Sequence, residues 1–214
     1  MKIIRKYTKK HIPCFRTNLT QVMQHTTMQY HMQDIDLEEK ELEQELEIIK
    51  RTIRFVDSTI KIITDKQDLY GSIEEYSIDM FVLKAYTSLA HMYNNINSEE
   101  ITKHLFEISA YMIIILEKIE KMRNKPNGLP LHNKYESLIN RIYINKHIQY
   151  NAKYQVEKTL KKQHISALML MKAIRMKNLL DKIKTNEIAV ESIKDNAIDI
   201  LIFAYIMYNK ITET

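Results

Sequence analysis

Two stretches hold the residue types from which catalytic or metal chemistry is built. His25 and His31, with Met28 and Met32 close by, offer imidazole and thioether ligands. Helical zinc sites place histidines four residues apart or add a cysteine pair, and this spacing does neither. The run ELEQELE (41–47) supplies carboxylates that follow one another along a helix. Acid–base catalysis needs carboxyl groups facing across a cleft, so the run reads as a solvated face. His91, His104, His132, His147 and His164 are scattered. Gly71 and Gly128, the two glycines, are too few and too far apart for a phosphate-cradling loop or a dinucleotide fingerprint. The single Cys14 leaves no internal disulfide or cysteine-built zinc site and fits a reducing compartment. We therefore expect no enzyme, no cofactor and no metal.

Charge is the more informative feature, because the net +5 is segregated into blocks. Residues 1–16 carry Lys2, Arg5, Lys6, Lys9, Lys10 and Arg16 without an acid, and residues 34–50 carry eight acids against Lys40 and Lys50. Lys134–Lys184 then holds twelve basic residues against Glu136, Glu157 and Asp181. Such blocks attract phosphate in lipid or nucleic acid, or an acidic protein. Sequence-specific RNA readers add stacking aromatics and glycine loops, which are lacking here. Tyr143, Tyr150 and Tyr154 recur at helical spacing and read as packing, so nucleic acid is the less supported partner.

The elements that must position these charges are helices. Two glycines and three prolines provide little of the turn chemistry a many-stranded sheet needs. Leu42, Leu46, Ile49, Ile53, Val56, Ile60 and Ile63 alternate by four and three, a coiled-coil seam over a helix from about 36 to 64. DKQDLYGS (65–72) reads as a turn, and Ser72 with Glu75 as a capping box opening the next helix. NINSEE (95–100) is the next break, with Asn97 or Ser98 as cap, followed by a helix to about Met122 whose broad apolar run predicts deep burial. RNKPNGLPLHNK (123–134) is the best linker. Beyond it, one helix runs toward KKQHISALMLMKAIRMKNLLDKI (161–183), where Met169, Ala173, Met176, Leu180 and Ile183 form a second seam; a last helix spans about 186–210.

The fold class expected is all-α: long antiparallel helical hairpins packed as an elongated bundle with coiled-coil character. Its parts are a basic arm (1–33), a hairpin plus third helix (34–122), a linker (123–134) and a second hairpin-like region (135–214). No apolar run reaches the roughly 20 residues that span a bilayer, and the first residues lack a secretion signal's continuous apolar core. A cytoplasmic protein is expected, soluble or peripheral to a membrane.

The stretch 161–183 carries a resemblance. Lys161, Lys162, Ala167, Leu168, Met171, Lys172, Arg175, Leu179, Leu180, Asp181 and Lys182 match a hairpin pattern that resembles the ESCRT-III family, the charged multivesicular body proteins. An earlier pair, DIDLEEKELEQELEIIKRTI (34–53) with VLKAYTSLAHMYNNI (82–96), resembles two arms of another branch of that family. The resemblance implies a cytosolic subunit that polymerises with itself or related subunits on endosomal membrane, in vacuolar protein sorting, and is remodelled by an AAA ATPase. Lys161, Lys162, Lys172 and Arg175 would form its lipid- or neighbour-facing basic surface, with Lys2, Arg5, Lys6, Lys9 and Lys10 as a second anchor. The family's acidic, ATPase-recruiting end has no counterpart in ILIFAYIMYNKITET. The alternatives are a lineage-specific helical protein-interaction module and a basic nucleic-acid-binding helical protein.

Overall fold

The computed structural model describes residues 46–68, 73–123, 129–149, 160–183 and 186–212, and among them it is all-helical, without a strand. The chain divides into two units, Met1–Glu47 and Ile48–Thr214, and the packing below lies within the second. We number the helices α1 (46–68), α2 (Ile78–Asn94), α3 (Ile101–Met122), α4 (Leu131–Gln149), α5 (Lys162–Leu179) and α6 (Glu187–Thr212). Short 3-10 turns precede α2 (Ile73–Glu75) and follow α5 (Leu180–Lys182).

Four of these helices close a ring in which α2 packs on α3 and α5, and α6 packs on the same two. Helices α2 and α3 run antiparallel, with His91 beside His104 at one end and Phe81 beside Tyr111 further along. Helices α3 and α6 are also antiparallel, since Phe106 meets Tyr208 at one end and Arg123 pairs with Glu191 at the other. A four-helix ring buries helices almost all round where further helices cover its outside. In α3 every residue from Ile108 to Leu116 is buried, as the breadth of its apolar run predicts.

Helix α1 covers the ring with a face of Thr52, Phe55, Val56, Thr59 and Ile63. Phe55 sits 5.8, 5.5 and 5.4 Å from the rings of Phe106, Tyr205 and Tyr208. Threonine is admitted to this core because its hydroxyl bonds back along its own helix. Thr59 donates to the Phe55 carbonyl at 2.8 Å. The Thr52 and Tyr205 hydroxyls lie 2.9 Å apart, and both reach the Ile48 carbonyl. The buried face is thus rotated from the four-three seam. Val56 and Ile63 are buried and Ile60 partly so, whereas Leu46, Ile49 and Ile53 are exposed. Leu42 lies outside the described residues.

Helix ends depart from expectation where local hydrogen bonds decide them. The cap of α2 is Ser77, whose Oγ accepts from the Met80 N–H; Glu75 belongs to the preceding 3-10 turn, and Ser72 lies outside the described residues. Before α3, Ser98 Oγ accepts from the Glu100 N–H. Helix α4 starts at Leu131, directly after Pro130, so the last four positions of the expected linker are helical. Leu160 and Lys161 are non-helical, and α5 is a separate helix with α6 and α2 as its partners. Asn186 Oδ1 accepts from the N–H groups of Ile188 and Ala189, capping α6. Asn186→Ala should therefore lower stability by about 1 kcal/mol, read as a lower midpoint in urea with an unchanged slope.

Candidate functional site

Helix geometry sorts the α5 residues into two faces. Met169, Ala173 and Met176 are buried against the ring, and Ile183 is buried beyond the helix end with Leu180 partly covered. On the other side, His164, Met171, Arg175 and Asn178 recur on one exposed face, bordered by Lys161 and Ile174. Met171 and Ile174 keep 52% and 40% of their surface exposed, which makes this a mixed apolar and basic surface.

The four basic residues proposed for a lipid-facing role do not form one patch. Lys161 and Arg175 lie on the outer face, and no ion pair joins either to another described residue. Lys162 is half-buried. Lys172 turns to α6, where its Nζ donates to Asp199 Oδ2 at 2.6 Å. Lys177, on the same helix, lies 4.8 Å over the Tyr86 ring and so braces α5 against α2. The basic arm Lys2, Arg5, Lys6, Lys9 and Lys10 falls outside the described residues.

Sequence reasoning missed a charged cluster where α4 meets α3. Lys134 Nζ bonds both Glu117 and Glu120, and the Tyr135 hydroxyl donates to Glu117 Oε1 at 2.7 Å. Burial opposes the Lys134 ammonium, but the hydrogen bonds and charges of the two glutamates prevail and hold its pKa above the ordinary lysine value. Burial, reinforced by the Glu117 charge, pushes the Tyr135 phenol far up. Elsewhere, hydrogen bonding from Arg123 lowers Glu191, and hydrogen bonding from Lys121 lowers Glu74. In sequence, LEKIEKM has the alternating charges of a solvated helix face, which is why this cluster was not anticipated.

Beside it opens a cleft of about 560 Å³ between the end of α1, the turn before α2, α3 and the start of α4. Its walls are isoleucines and its rim carries Glu74, Glu117, Lys118 and Lys121. Among the described residues, no group of three or more His, Cys, Asp or Glu is placed to hold a metal ion. No helix among them is long and apolar enough to cross a membrane.

Among the described residues the chain is all-helical, and the outer face of α5 is exposed and of mixed character, with Met171 and Ile174 beside Arg175. No protein-family model matches the chain, and no curated protein or solved structure matches it either.

Proposed function

We propose that this protein is a non-enzymatic subunit of a helical assembly working at an anionic membrane surface, resembling ESCRT-III in membrane remodelling and endosomal or vacuolar sorting. The resemblance pairs 34–53 with 82–96 and makes 161–183 the second arm of a hairpin begun by the helix before it; in place of those arms, the packed neighbours α2–α3 and α5–α6 would be its stacking hairpins. The observation that carries the reading is the outer face of α5, where exposed Met171 and Ile174 stand among Lys161, His164 and Arg175. Such a face binds lipid by burying its apolar residues at the headgroup boundary while its cations meet anionic phosphate.

Each basic residue close to the surface contributes about 1 kcal/mol, so Arg175→Glu, which changes the local charge by two, should weaken binding to phosphatidylserine vesicles by roughly tenfold to thirtyfold. Met171→Asp should weaken it too, by removing apolar contact. Lys172→Glu is the wrong test, because it would set a carboxylate beside Asp199. Co-sedimentation with anionic and neutral vesicles at two salt concentrations, followed by negative-stain microscopy, measures both binding and polymerisation. Salt-sensitive binding with filaments supports the reading. A monodisperse protein indifferent to anionic lipid would overturn it.

A second reading, a module that docks protein helices, is favoured by Ile49 and Ile53. These lie one turn apart on α1, with 37% and 38% of their surface exposed. Substituting both by lysine should then release a helical partner while leaving vesicle binding intact.

A further inference from the structure

At the rim of the cleft beside α3, one lysine makes no direct ion pair with a described carboxylate. Glu117 is held by Lys134 and Tyr135, and Glu74 pairs with Lys121. Lys118 remains. Its Nζ donates to the Glu74 backbone carbonyl at 3.1 Å and stands 5.8 Å from the Phe81 ring, and no described carboxylate lies within ion-pair distance of it. The same cleft is lined by Ile63, Ile78, Ile113, Ile114, Met122 and Leu131. The volume, about 560 Å³, is that of a small-molecule site, where an apolar lining holds the body of a ligand and a few polar groups fix its orientation.

We propose that this cleft binds a single-chain anionic amphiphile, its carboxylate or phosphate head on Lys118 and its alkyl chain along the isoleucine wall. A neutral amphiphile would leave the half-buried ammonium with Glu74 acting on it only from beyond ion-pair distance, whereas an anionic head supplies a direct partner. Burial lowers the Lys118 pKa and Lys121 adds to it, prevailing over the opposite pull of the Glu74 carboxylate, and an incoming anion would act in the same sense as Glu74. The site is separate from the outer face of α5, so its test does not depend on vesicle binding.

Calorimetric titration of the full chain with decanoate, decyl phosphate and decanol, the two anions below their micelle concentrations and decanol below its solubility limit, tests the proposal. Saturable binding of one anionic ligand per chain is expected, at least tenfold tighter than decanol. The tighter of the carboxylate and the phosphate identifies the head group. Lys118→Leu should erase the preference for the anion, Lys118→Arg should keep it, and Met122→Trp at the mouth should weaken all three ligands. Thermal melts establish that each variant is folded. Equal affinity of the wild-type chain for decanoate and decanol would overturn the proposal without reference to any variant. So would the absence of saturable binding, or an anion preference that survives Lys118→Leu.

Discussion

Phe55→Ala should lower folding stability by about 3–5 kcal/mol, the usual cost of truncating a fully buried phenylalanine. Phe55 is wholly buried, and three aromatic rings from α3 and α6 lie within 6 Å of its centre. Truncation removes its packing against each of them and leaves a cavity bounded by three helices, which the rigid ring can fill only in part. At this chain length each kcal/mol moves the melting temperature by about 2–4 °C, so calorimetry should record a fall of roughly 6–20 °C. Hydrogen exchange should also show that α1 amides lose protection together with those of α6. A fall of under about 1 kcal/mol, with α1 alone deprotected, would mean that α1 is not part of the cooperative core.

Lys134→Met should cost about 2–3 kcal/mol, below the 3–5 of a fully buried pair because its glutamates keep some solvent contact. The methionine would fill most of the lysine's volume yet leave Glu117 and Glu120 facing each other without their shared cation. The pH dependence follows from the direction of the shift. A lysine pKa raised by folding contributes stability that is fully present below the ordinary lysine value, near 10.4, and is lost as pH rises through the folded value. The raised Tyr135 phenol acts in the same direction, because the unfolded chain ionises first, from about pH 10. Denaturation curves between pH 7 and 11 should therefore fall on the alkaline side in the wild type. The fall should be shallower in Lys134→Met and in Tyr135→Phe. An alkaline limb unchanged by either substitution would show that the cluster does not couple to folding.

The helical class was legible because scarce glycine and long unbroken apolar periodicity leave few other options. The burial of α3 was legible for a similar reason, since AYMIIIL has no polar side to expose. The buried face of α1 was not. Hydropathy counts Thr52 and Thr59 as surface residues, although bonds to carbonyls four residues back satisfy both hydroxyls. Isoleucines 49 and 53 completed a regular spacing and yet face outward.

The candidate surface was legible in part. Its basic character could be read from 161–183, but Lys172 finds Asp199 only once α6 folds back along α5, a pairing no local pattern encodes. The cleft was invisible, because its lining comes from separate segments between Ile63 and Leu131 and each contributes only a few ordinary residues.

The hydroxyl pair between Thr52 and Tyr205 joins positions 153 residues apart. On a ribosome adding 5–20 residues per second, the interval between those two residues is about 8–30 s. Through that interval Phe55 has emerged without Tyr205 and Tyr208, two of the three rings that enclose it, and α1 exists as an amphipathic segment with an unsatisfied apolar face. Completion of the core therefore waits on the synthesis of α6. A chain arrested before α6 should be recognised by chaperones that bind exposed apolar helices, and released from them once Tyr208 has left the exit tunnel.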